Sequence, residues 1–445
     1  METITTKVTP LFTKLKRLRS FAGKYDEFPA QEGMRLAEQM KSIADTLQET
    51  PEPTTMDELL VDELKRRLNL TAASVINTIT AKPQTFDDHV VAFGIHQDDL
   101  YDLPHWLRRN REITLDSIER LFSKYNDDND VLEIPTDRPS RKREAEATAS
   151  VLVRRYHRHI GTLIQRCSRV GGFLREVQAE PTTEGRSYFD PKTLTIALGI
   201  PAICYLSRDD TLHPSERELI RLLGHEGMGH ALQHVITKAS GLPHFMDEYS
   251  TATIASDESV TQFMERQIFE DLRAAKDIQK ELCIDHKFES IYQDAKDRDQ
   301  LNSYHRKQFH YALTVLADKS LGNPEDTVTI QKKIDLLEKV ALSPRFAQNI
   351  MEQLRRAYDS RGNLDSNVAG EIRYASRVVE KALKVFEDHG ILYTGEGRSV
   401  IDETFLTGFW TPKGFLSHAK IRAREYEGKV KPDVGEPVTS PRYRF

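Results

Sequence analysis

The stretch "RLLGHEGMGHALQH" (221–234) sets His225, Glu226 and His230 in one short run, with the histidines five residues apart. The segment leading into it, "HPSERELIRLL", reads as the start of a helix: Pro214 fits a first turn, and Ser215 with Glu218 has capping-box spacing. On a regular α-helix five residues advance about 500°, so the two imidazoles would sit about 140° apart and could not share one small ion. A π-type turn, with hydrogen bonds from i to i+5, returns residues five apart to one face. Gly227 and Gly229 lie inside the interval. In a regular helix interior each costs about 1 kcal/mol relative to alanine, and glycine costs least where the backbone is distorted. The spacing therefore predicts a π-bulge or a break between His225 and His230, within a helix that stops near Gly241-Leu242-Pro243.

The residue types match a metal site. Zinc takes neutral imidazole nitrogens and carboxylates, and a catalytic zinc keeps one position for water. Glu226, next to the first histidine, is placed to act as the base that takes a proton from that water. A third ligand is needed, and "ASDESVTQFMER" offers Asp257, Glu258 and Glu265 on the following helix, for which Ser256 is a natural N-cap. A rival register exists in Glu226, His230 and His234, spaced i, i+4, i+8 on one regular face. A di-iron bundle would want Glu-x-x-His pairs, and no histidine of this chain has a glutamate three residues before it.

The rest of the chain bounds the setting. At 445 residues it exceeds one ordinary domain, and its 38% hydrophobic and 30% charged residues suit a helix-rich chain with an ample core. A net charge of -6 argues against general nucleic-acid binding. Cys167, Cys204 and Cys283 form neither a disulfide framework nor a CxxC knuckle and are expected to be buried apolar residues. Neither a signal peptide nor an apolar run of membrane-spanning length is present, so the expectation is a cytoplasmic protein with no membrane partner. Leu59, Leu60, Leu64, Leu68 and Leu70 recur at helical spacing between punctuation such as "ETPEPTT" and "AKPQTFDD". The polar run 125–147 reads as a linker, followed by a long helix. The expected division is a helical region over 1–140, a catalytic region over 141–430 and a mobile tail over 431–445. "SYF" and "LTIAL" flank "DPKT", which is turn chemistry, so a hairpin is expected near the metal helix.

"HEGMGHALQH" followed by "DESVTQFME" resembles the thimet oligopeptidase and oligoendopeptidase F family, whose members read H-E-F-G-H-A-L-H and later E-L-P-S-Q-F-M-E. The resemblance makes His225 and His230 zinc ligands, Glu226 the general base and Glu258, rather than Asp257, the third ligand. Glu265 matches the final glutamate of the second motif and would orient a ligand. The extra residue between the histidines is similar instead to dipeptidyl peptidase III, so the likeness is to the glutamate-zincin clan, over residues 185–270. The Tyr- and Gly-rich segment that supplies transition-state donors in the oligopeptidases has no counterpart here.

The resemblance implies a mainly α, bilobal, zincin-like metallopeptidase with a small hairpin or sheet beside the active-site helix. It implies a zinc peptidase that hydrolyses peptide substrates in a cleft. "LTIAL" (194–198) would be an edge strand that pairs with extended substrate. An oxyanion stabiliser is expected besides zinc: Tyr374 with Arg373 is the first choice, and His305 and His310 the second. The alternatives are a carboxypeptidase of the same chemistry and a non-catalytic, metal-stabilised helical binding protein.

Overall fold

The computed structural model describes residues 9–14, 30–80, 86–96, 98, 100, 103–104, 115–126, 139–168, 172–207, 210–247, 250–317, 327–339, 372–393 and 397–427. The expected tail, 431–445, lies outside them. The described residues are mostly helical, with one three-stranded mixed sheet and one two-stranded sheet. Among them no helix is long and apolar enough to cross a membrane. Contacts group the chain into two compact units: residues 1–112, 240–259 and 306–445 in the first, 113–239 and 260–305 in the second. The segments expected from sequence are contiguous, whereas these units are interleaved.

In the first unit the leucine periodicity becomes the helix Met56–Ile79. A capping box starts it: the Thr55 side chain accepts the Glu58 N–H at 3.3 Å, and the Glu58 carboxylate accepts the Thr55 N–H at 3.2 Å. Leu59, Leu64 and Leu68 are fully buried, each worth roughly 1.5–3 kcal/mol relative to exposure. They face the helix Ala30–Thr46 and its buried Leu36 and Met40. Phe386, Phe405 and Phe415 join three further helices, with ring centroids 6.2 and 5.1 Å apart. A second cluster gathers Phe86, Val90, Ala255, Ala312, Leu313 and Ile372. It thereby fixes the first turn of the helix Ile254–Ala274, the end of the helix Phe288–Ala317 and the turn Arg373–Ala375.

In the second unit the expected hairpin is present. Strand β2 (Tyr188–Asp190) runs antiparallel to β3 (Thr195–Gly199), with Phe189 opposite Ile196. Its turn is closed by the Asp190 carboxylate, which accepts from the Lys192 N–H and the Thr193 hydroxyl, both at 2.9 Å. Strand β1 (Gln178–Thr182) pairs parallel to β3 on the other side, giving the order β1-β3-β2. That corrects the reading of "LTIAL" as an edge strand. Residues 195–199 form the middle strand, with their backbone committed to neighbours, and β1 and β2 are the edges. The two-stranded sheet pairs β4 (Cys204–Leu206) with β5 (Leu212–Pro214).

The helix Pro139–Ser168 buries Ala145, Ala149, Val153, Tyr156, Ile160 and Ile164 at helical spacing against β1 and the site helix. It begins inside the charged run expected as linker, with Pro139 at its first position, where a missing N–H is harmless. Residues 127–138 of that run lie outside the described residues. Three smaller expectations are corrected. Ser215 is an N-cap without a side-chain bond, because Glu218 turns to Arg221 instead, accepting from its Nε at 2.7 Å. Ser256 is buried within the helix that already begins at Ile254. Of the three free cysteines only Cys204 is buried, and Cys283 is exposed.

Candidate metal centre

The helix carrying the histidines is α-helical over Glu216–Leu222, π-helical over Leu223–Ala231 and α-helical again over Leu232–Ala239. At the π segment's end the Leu232 N–H reaches the Gly227 carbonyl, five residues earlier. The wider turn does what the spacing requires. The His225 and His230 rings lie side by side, with centroids 5.2 Å apart and planes at 80°.

Another pair of residues obeys the same five-residue repeat. Gly224 and Gly229 line up on the neighbouring face, where the π-helix lies directly on the helix Ile254–Ala274. A Cβ on Gly229 would fall 2.6 Å from Thr261 Cγ2 and 3.0 Å from its Cα. A Cβ on Gly224 would fall 2.6 Å from Ile268 Cγ2 and 3.2 Å from the Glu265 Cα. Gly227 points instead at Ile196 of β3, where a Cβ would make ordinary contact at 3.4 Å. The glycine run thus secures close helix approach at 224 and 229, a role the sequence reading did not assign. Gly224 was not singled out at all.

That approach brings two carboxylates to the histidines. Glu265 Oε2 bonds His225 Nδ1 at 3.1 Å, which leaves Nε2 as the ring's other nitrogen. Arg221, one turn before His225, holds the far oxygen, with Nη1 3.2 Å from Glu265 Oε1. Burial works against the Arg221 charge, but Glu265 and Glu218 outweigh it and raise its pKa above the ordinary value. Glu258 lies seven residues before Glu265, two turns along the same helix. His225, His230 and Glu258 each offer one ligand atom, and these atoms lie within 4.8 Å of one another. Ligands around a tetrahedral zinc stand about 3.3 Å apart, so a modest closing of the side chains meets that geometry.

Glu226 follows His225 within the π turn. It is 5% exposed, and its carboxylate has no hydrogen-bond or ion-pair partner among the described residues. Tyr374 and Arg373 stand beside Glu258: Arg373 Nε is 3.6 Å from Glu258 Oε1, and Arg373 Nη2 donates to the Tyr374 hydroxyl at 2.7 Å. Burial, then the Glu258 charge, push the Tyr374 phenol up to about 12, with Arg373 and Arg306 pulling the other way. It is therefore a neutral O–H at ordinary pH. The guanidinium carbons of Arg306 and Arg373 lie 4.8 and 4.7 Å from the Tyr374 ring centroid.

The other candidates fall elsewhere. His234 is turned edge-on to Phe189 of β2, with centroids 5.8 Å apart. The ligand atoms that converge are those of His225, His230 and Glu258, so Glu226, His230 and His234 do not form the metal group. Asp257 is buried outside that group. His305 packs against Phe122 and Tyr304, and burial lowers its pKa. His310 is buried next to Phe309. Two residues at the site were missed by sequence reasoning, Arg221 and Arg306. Arg221 carried a local signal, three residues after Glu218 and four before His225; Arg306 carried none. No family model, curated protein or solved structure matches this chain.

Proposed function

We propose that this chain is a cytoplasmic, zinc-dependent peptidase of glutamate-zincin type, hydrolysing peptide substrates by water activation. One observation carries the reading: Glu226, a mostly buried residue whose carboxylate makes no hydrogen bond or ion pair among the described residues, adjoins a His–His–Glu group. The donor set suits zinc, being two imidazoles and a carboxylate. The His225–Glu265 bond is the outer-shell contact that fixes a ligating ring's tautomer and orientation.

His225, His230 and Glu258 would hold a zinc ion, which would supply Lewis acidity able to lower the pKa of water to about 7. Glu226 takes the proton from the attacking water and passes it to the leaving amine nitrogen. The Tyr374 hydroxyl accepts from Arg373 and keeps its own proton to donate to the oxygen that becomes negative.

Metal content and hydrolysis, measured together, test this. Glu226→Gln should keep its zinc while peptide cleavage falls about 10²- to 10⁴-fold. Glu258→Ala and His225→Ala should lose zinc, and Asp257→Ala should retain it. Zinc-loaded wild type that cleaves no peptide would sink the peptidase reading and leave a metal-stabilised binding protein.

A further inference from the structure

We infer that the substrate presents a free C-terminal carboxylate within one or two residues of the scissile bond, and that Arg306 and Arg373 receive it. The inference rests on the peptidase reading above and names its substrate class. Its basis is a pair of cations at one tyrosine. Arg373 donates to the Tyr374 hydroxyl and forms an ion pair with Glu258 through its Nε at 3.6 Å. Arg306, on the helix Phe288–Ala317, sets its guanidinium over the Tyr374 ring. Its side chain is exposed and makes no ion pair among the described residues. The cation–π contact orients the guanidinium without neutralising it.

A planar guanidinium presents paired N–H donors that match a carboxylate two at a time. Two of them beside a metal-ligating glutamate form a place for an anion. Arg373 lies one side chain from Glu258. A residue adds at most about 3.6 Å of reach, so the anion that Arg373 and Arg306 can meet belongs to the first or second residue beyond the cleaved bond. An endopeptidase has no such charge there. A carboxypeptidase or dipeptidyl carboxypeptidase always does.

The experiment compares one peptide series as free acids and as C-terminal amides, using the zinc-loaded protein, with products mapped by mass. The free acid should lose one or two C-terminal residues, with kcat/KM on the order of 10²-fold above that of the amide. Arg306→Gln should bring the acid-to-amide ratio towards one, and Arg306→Lys should restore part of it by restoring the charge. Melting temperature should not move, because Arg306 is exposed. Equal cleavage of acid and amide at internal bonds overturns this inference and leaves the peptidase reading intact. If no peptide is cleaved, the peptidase reading fails, and affinity for the same pair decides: tighter binding of the acid, lost in Arg306→Gln, supports the carboxylate site, and equal affinity overturns it.

Discussion

Glu63 and Glu265 both sit on long helices and both hold arginines, yet they end on different atoms. Glu63 is fully buried. It takes Arg66 Nη1 at 3.0 Å, Arg67 Nε at 3.1 Å, and the Thr411 N–H and hydroxyl, both at 2.7 Å. Arg67 goes on to the Phe245 carbonyl. A Cβ on Gly414 would strike the Glu63 carboxylate, so glycine there leaves that carboxylate its place. Each bond ends on backbone, hydroxyl or guanidinium, and the network ties three remote segments of the first unit. Glu265 is about one-fifth exposed and passes Arg221's charge to an imidazole nitrogen. That histidine belongs to a group fit for a metal. The Glu63 carboxylate is saturated by partners that tie segments together, whereas the Glu265 carboxylate ends on a histidine of the candidate metal group.

Their histidines differ in the same sense. His418, near the Glu63 network on the helix Pro412–Glu427, stacks on Trp410 with centroids 4.8 Å apart. It is buried, and its Nδ1 has no partner among the described residues. Burial foremost, with Arg422 adding to it, pushes its pKa down to about 3. His418 is a packing element, and His225 belongs to a group that could hold a metal.

The largest effect should come from Glu63→Ala. It strands the buried Arg67 charge, and losing one partner of such a pair costs about 3–5 kcal/mol. Chemical denaturation should show that loss, while zinc affinity stays at the wild-type value. A parallel loss of zinc affinity would break the comparison, because the two glutamates would then serve one structure.

Next is Glu265→Ala, whose outer-shell role predicts a 10- to 100-fold loss of zinc affinity in chelator competition. Its stability should barely change, since a partly exposed pair contributes about 1 kcal/mol or less. Unfolding on the scale of Glu63→Ala, with affinity intact, would make Glu265 another structural residue.

The smallest effect is read in pH. The unfolded chain binds a proton at His418 below about 6.5, and the folded chain resists it down to about 3. The unfolded state therefore holds more protons in that window. The contribution is complete above 6.5 and is lost as pH falls through it, reaching about 1 kcal/mol by pH 5.5. His418→Phe keeps an aromatic ring on Trp410 and should flatten that acid slope. An unchanged slope would remove His418 from the account.

The π turn was legible because it follows from counting: two metal-ligating residue types five apart demand i to i+5 geometry. The hairpin was legible because an aspartate–proline turn separates two apolar runs. Strand β1, "QAEPT", was not, since it is polar, carries a proline and alternates with nothing. Its presence on the far side of β3 is what moved "LTIAL" from edge to centre. The helix start at Ile254 was hidden as well. Buried Ser256 looks like a cap in one dimension but packs inside the first turn. Tyr374 was chosen from sequence together with Arg373, and its neighbourhood with Glu258 and Arg306 appears only in three dimensions.

By itself the sequence determined the helical class, the π turn at residues 225–230 and the residue types able to bind a metal. Those depend on spacing along one chain, where dihedral geometry fixes which side chains share a face. Only the tertiary structure decided that Gly224 and Gly229 let one helix lie against another. It also decided that Glu265 meets His225, and that Arg306 and Arg373 meet at Tyr374, 67 or more residues from Arg306. Such contacts are set by packing between elements remote in sequence, and no local pattern encodes which remote surface will be the neighbour.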